Sequence, residues 1–333
     1  MLEQIFELLV TPSFGAAILR VTTPILFAAL GGLISRRAGI FNMTLEGTML
    51  TSALAGVVVS AYVKRWTLGG LAPTDPLYNE VIGKANLFGT TAGFAAGVLA
   101  GICIALILAY MAIELKADIV LTALAINIMA SGGTVFILYL TAGEKGVSSS
   151  LNSCTMPVWN IPFIKDIPVL GEILSGHNLM VYFAILCAPI VYFIIMKTKT
   201  GLRIRAVGEN PNAAESVGIN VKKVQFQAMI LSGLFCGFGG VSLSMGYVSF
   251  FSRDMTSGRG FIALSAMNLG NASPVGTTIA SFLFGMFDAM ANVLQSLSIP
   301  NQLIVSIPYI ATLIGLVIFA VRTDAKIKKA KKR

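Results

Sequence analysis

Eight apolar runs, each near the roughly 20 residues a helix needs to cross a bilayer, decide what this 333-residue chain can become. They lie near residues 14–35, 41–63, 87–112, 119–141, 179–196, 224–248, 273–297 and 302–321. A further stretch, GFIALSAMNLG (260–270), is apolar but too short for an ordinary crossing. It reads as half of a broken helix, which membrane depth tolerates only under protein cover or beside a cavity. Charged residues make up 12% of the chain, against about 25% in soluble domains. The expectation is an all-α integral membrane protein with one transmembrane domain, residues 1–321, and a basic tail, 322–333. No length is left over for a nucleotide-binding or catalytic domain.

The basic residues set the orientation. With the polar stretch 197–223 placed inside, Arg36, Arg37, Lys116, Lys197, Lys199, Arg203, Arg205, Lys222, Lys223 and the tail cations share its side. Lys64, Arg65, Lys84, Lys145, Lys165, Arg253 and Arg259 fall outside, and Arg20 lies at the edge of the first span. An inner excess of Lys and Arg is the usual topological signal. The tail joins the inner side only if 260–270 completes a crossing. This predicts about nine crossings, amino terminus out and carboxyl terminus in. The net charge of +9 fits topology and anionic lipid rather than nucleic acid.

Gly93, Gly97 and Gly101 recur every fourth residue, as do Gly233 and Gly237, a spacing that lets helices approach closely in lipid. GIFNMTLEG (39–47) and GFIALSAMNLG (260–270) share glycine borders and an asparagine, which raises an internal repeat as one option. The external loop 142–178 carries Pro157, Pro162 and Pro168 beside Trp159, Ile161, Phe163 and Ile164. It reads either as a segment on the membrane surface with Trp159 at the interface or as a docking surface. Cys103, Cys154, Cys187 and Cys236 form no motif and His177 is the only histidine, so neither a metal site nor a disulfide framework is expected. The start, MLEQIFELLV, lacks the basic region of a cleavable signal.

Ionisable residues inside spans are costly and tend to face a cavity or a partner. Glu46, one turn into the second span, and Asp288, in the middle of the seventh, therefore have two readings. Each either lines a substrate pathway or gate, or holds neighbouring helices and exposed backbone. Asn42, Asn127 and Asn268 have the same two readings, since an amide binds a polar solute or joins helices. Arg20 is long enough to snorkel.

The stretch 197–223, KTKTGLRIRAVGENPNAAESVGINVKK, is polar between two apolar runs. Asn210 followed by Pro211 is a helix start, because Asn caps free N–H groups and Pro suits the first helical position. Gly218 is a stop that accepts a left-handed conformation. The spacing predicts a helix of about two turns, Pro211 to Val217, presenting Asn212 and Glu215. Such explicit caps suit an element that touches another protein.

PILFAALGGLISRRAGIFNMTLEGTML (24–50), KADIVLTALAINIMA (116–130), GLRIRAVGENPNAAESVGI (201–219) and SGRGFIALSAMNLGNASPVG (257–276) occur in this order. Together they resemble ABC-importer permeases for nucleosides and simple sugars, within the wider family of ribose and branched-chain amino acid permeases. The most specific elements are Asn42–Gly47, which points to the nucleoside branch, and Ala206–Pro211. Two sites depart from the family pattern. Asn271 and Ala272 stand where a bulky or basic residue is usual, and Asn42-Met43-Thr44 stands where the family tends to have Asn-Ile-Gly.

The resemblance implies a multi-pass permease subunit of a bacterial inner membrane, importing a small polar solute by alternating access. It implies a separate ATP-binding-cassette ATPase holding ATP and Mg, a second and paralogous permease, and an external substrate-binding lipoprotein. It makes the helix of Asn210, Pro211, Asn212, Ala214, Glu215 and Gly218 the ATPase-coupling helix. No cofactor is expected in this chain, and no nucleic acid. The residues themselves exclude a P-loop, because Gly83-Lys84 is followed by Ala85 without the upstream glycine. Nor do they carry a Ser/His, Cys/His or paired-carboxylate constellation for an enzyme, and the sole His177 falls in the external loop. The alternative is a stand-alone secondary transporter, which explains a broken helix and buried amides but not the capped polar stretch.

Overall fold

The computed structural model describes residues 11–69, 71, 78–162, 170–295 and a few positions between 310 and 317. Among the described residues the chain is a helical bundle. In order come α1 (Pro12–Arg37), α2 (Leu45–Leu68), α3 (Tyr78–Ile113), α4 (Ile119–Ala142), α5 (Leu170–Leu174) and α6 (Leu179–Lys197). They are followed by α7 (Lys199–Glu209), α8 (Pro211–Ser216), α9 (Val221–Val241), α10 (Arg259–Leu269) and α11 (Pro274–Leu294). A π-helical segment, Ser242–Tyr247, continues α9. Seven helices are long and apolar enough to cross a membrane: α1, α2, α3, α4, α6, α9 with its continuation, and α11. The expected run 302–321, the tail 322–333 and residues 163–169 lie outside the described residues.

The bundle is organised around α1 and α9, whose apolar windows are the most buried of the seven. Lipid tails are as apolar as leucine, so helices associate in a bilayer through close packing rather than water expulsion. The glycine spacing supplies that packing. At Gly101 of α3 and Gly233 of α9 a Cβ on either residue would stand 2.6–2.7 Å from the other's carbonyl oxygen. The two backbones touch, and no larger residue fits. Phe27, Phe183 and Phe238 close the same core, with the rings of Phe183 and Phe238 edge-on at 5.1 Å.

The bundle is all-helical as expected, with one short addition in the external loop: Val158–Trp159 pairs antiparallel with His177–Asn178 as strands β1 and β2. This two-residue ladder satisfies backbone beside Pro157, and the Asn178 side chain then caps α6 by accepting from Met180 N at 3.1 Å. The external loop also packs onto the bundle through Cys154 N, which donates to Ser60 Oγ at 2.9 Å, and Met156 N, which donates to Met245 O at 2.8 Å. Finally, 39–47 and 260–270 fold differently. The first is unwound as far as Thr44 while the second is helix throughout most of its length, so their likeness in letters is not a likeness in structure.

Candidate functional site

The second crossing starts later than its apolar run. Residues 41–44 are unwound and α2 begins at Leu45. Asn42, fully buried, holds this entry. Its Oδ1 accepts from Thr44 N at 3.0 Å and Thr44 Oγ1 at 2.7 Å, and its Nδ2 donates to Ser232 Oγ at 2.9 Å. Asn127 of α4 covers the next part. It accepts from Gly47 N at 3.0 Å and donates to Met43 O at 3.1 Å. Both amides thus satisfy backbone where the chain is not helical inside the bundle.

Glu46 does the same for a second break. Its two carboxylate oxygens accept from Gly258 N at 2.8 Å and Gly260 N at 2.7 Å, at the start of α10. A carboxylate there meets unpaired N–H groups and the positive end of the helix dipole. The next residue, Arg259, donates through Nε to Asp288 Oδ2 of α11 at 2.9 Å. Both of these side chains are largely buried, at 14% and 13% exposure. Arg259, expected in an outer loop, is therefore the first residue of the short helix and the partner of the intramembrane aspartate.

The far end of α10 lies beside the end of α1, because Arg36 donates through Nη1 to Asn268 Oδ1. Ser131 of α4 donates through Oγ to Asp254 Oδ1 at 2.8 Å, so α4 also meets the segment that precedes α10.

The segment feeding α10 is irregular and polar. Asp254, Ser257 and Gly258 have positive φ values of 50°, 46° and 78°. The side chains of Arg253 and Asp254 are 66% and 54% exposed. On α10, Phe261 is 45% exposed.

At the end of the bundle bearing Arg36, the polar stretch folds into two helices joined by an elbow. The predicted one is α8. Asn210 Oδ1 accepts from Ala213 N at 3.1 Å, Pro211 takes the first helical position, and Gly218 has a φ of 81°. Asn212 and Glu215 are exposed, and Val217 is 75% exposed on an otherwise polar surface. Ala214, grouped with them from sequence, instead points inward and is buried.

The other helix, α7, was missed. The signal was there: Gly201, Ile204 and Val207, three apart, are its buried face. Thr198 caps it by accepting from Gly201 N at 3.1 Å. Sequence reasoning also gave Arg36 and Arg37 no role beyond topology. Lys222 and Glu114 pair at 2.7 Å on this same side, which agrees with the grouping of the basic residues.

Comparison with known proteins places these features in a family. Residues 15–322 match the family described as branched-chain amino acid transport system / permease component. The guanosine ABC transporter permease protein NupQ of Bacillus subtilis is 36% identical, across 93% of this chain and 92% of that protein. The nucleoside ABC transporter permease protein NupC of Lactococcus lactis is 31% identical, across 91% of each. The glucose ABC transporter permease protein TsgB13 of Haloferax volcanii is 26% identical, across 88% of this chain and 74% of that protein. A stand-alone secondary transporter is thereby set aside, and an ATPase partner is implied. The chain belongs to the branched-chain amino acid transport system permease family and is a multi-pass, non-catalytic subunit of an ABC transporter.

Proposed function

We propose that this permease carries nucleosides inward, with simple sugars as the second reading favoured by the glucose-permease relative. The observation that supports a solute path is the exposed polar break that leads into α10: Arg253, Asp254 and the helix start. A second permease facing that surface would enclose a cavity beside this irregular backbone, the setting in which a bilayer tolerates it. Glu46, Asn127, Asp288 and Asn268 border the path as its scaffold, since each is already engaged in hydrogen bonds. Asn42, buried among Thr44 and Ser232, supports them from behind.

In this reading the amino terminus is outside and the elbow of α7 and α8 is inside. Asn212, Glu215 and the apolar Val217 contact the ATPase, held by the caps at Asn210 and Gly218 with Ala214 as the inward anchor. Closure of the ATPase moves α8, the bundle opens outward, and an external binding lipoprotein delivers solute. Hydrolysis then restores the inward-facing form.

The test is uptake of labelled guanosine and labelled glucose by proteoliposomes holding the complete complex and its binding protein, with ATP inside. ATP-dependent guanosine uptake that excess glucose leaves unchanged supports the nucleoside reading. Uptake of glucose alone replaces it with the sugar reading.

A further inference from the structure

The elbow of α7 and α8 and the short helix α10 are joined by a short series of contacts that all pass through one turn, Arg36 to Gly39. Gly208, near the end of α7, lies against this turn with no side chain between. A Cβ on Gly208 would stand 2.1 Å from Arg37 O and 3.2 Å from Gly39 N. On its other side the Arg37 guanidinium donates through Nε to Ala272 O at 2.6 Å, 235 positions away. Its neighbour Arg36 binds Asn268.

Ala272 and Asn271 form the turn from α10 to α11 with φ values of 47° and 52°. Neither is glycine, so both are in a conformation that L residues disfavour. The arginine bond falls on the carbonyl of a turn that is already strained. At its opposite end α10 is fixed by Glu46 and by the pair of Arg259 and Asp288. A helix held at both ends moves as a rod.

We propose that Arg37 is a positioning residue which transmits displacement of the α7–α8 elbow to the α10–α11 turn, and so to the path. A basic residue ending a helix commonly serves carbonyls of its own last turn or anionic lipid. Arg37 instead spans to another hairpin while its own carbonyl bears on α7. Backbone packing on one side and a charge-assisted bond on the other leave little slack between elbow and turn. The inference rests on the reading of α8 as the ATPase contact.

The experiment uses the assembled complex with Arg37→Gln, Arg37→Lys and Gly208→Ala, measuring recovered ATPase, ATP hydrolysis and solute uptake. Arg37→Gln is expected to retain the ATPase and its hydrolysis while solute moved per ATP falls about tenfold, the scale of one lost charge-assisted hydrogen bond. Arg37→Lys, which keeps a charged donor, recovers most of that ratio, a rescue that a merely space-filling role would not produce. An unchanged ratio in Arg37→Gln, or equal losses of uptake and hydrolysis, overturns the proposal.

If Arg37→Gln does not assemble, Gly208→Ala, which removes no side-chain contact, is judged by the same ratio. If neither variant assembles, the turn serves folding and the proposal fails. A Val217→Asp chain that still retains the ATPase as the wild type does refutes the reading of α8 itself.

Discussion

Replacing Glu46 with alanine separates a structural carboxylate from a solute-binding one. In the structure both oxygens are committed, to Gly258 N and Gly260 N at 2.8 and 2.7 Å. Removing them leaves two part-buried backbone donors unpaired inside the bundle, each costing about 1–3 kcal/mol. The lost charge at a helix N-terminus adds about 0.3–1 kcal/mol. The sum is about 2–7 kcal/mol, and Glu46→Gln, which retains one acceptor, is expected near the lower end. At the roughly 1.4 °C per kcal/mol that the per-residue unfolding entropy implies for 333 residues, Glu46→Ala lowers the melting temperature by at least about 3 °C. The assay is thermal unfolding of the purified permease in detergent, followed by uptake at a temperature where the variant is folded. A melting temperature within about 1 °C of wild type, with a raised solute KM, would refute the reasoning and make Glu46 a solute ligand.

Asp288→Ala strands the Arg259 guanidinium in a largely buried site and is expected to cost about 3–5 kcal/mol. The double variant with Arg259→Leu should recover part of this loss in the same melting assay. Gly233→Val drives a side chain into the Gly101 backbone, so the permease should fail to accumulate in membranes, whereas Gly132→Ala, facing open space, should accumulate normally. Glu215→Arg with Pro211→Gly alters the exposed surface and the start of α8; the chain should insert normally yet lose uptake while ATP hydrolysis persists. His177, buried beside Arg20, has its pKa held below the ordinary 6.5 chiefly by desolvation, with Arg20 adding to the effect and the bond to Ile173 O opposing it. Its neutral form is the folded one, so below about pH 6.5 the unfolded chain takes up the proton first. Stability should fall as pH drops through that value toward the lower folded pKa, and His177→Gln should flatten the slope of melting temperature against pH.

The apolar runs placed most of the crossings because length and composition are what a bilayer selects, and the caps of α8 were readable because capping is local. Breaks in helices are harder to read. Residues 41–44 continue an apolar run without a proline or glycine to mark the break, and Asn42, Asn127 and Ser232 bond around them where they are unwound. Two of those partners are remote in sequence. For the same reason Arg259 looked like a loop cation: its aspartate lies 29 residues on, and nothing local announces the pair.

Glu46 shows how such breaks depend on one another. Residues 41–44 carry no helix, so α2 starts at Leu45 and Glu46 falls in its first turn. A carboxylate there needs donors, and the two it meets are the free N–H groups at the start of α10. Each break thus supplies what the other lacks: the late start of α2 leaves an acceptor beside unpaired donors, and the short helix presents those donors to a carboxylate inside the bundle. A change that restores ordinary helix at 41–44 should therefore disturb α10 as well, at the end opposite Arg37.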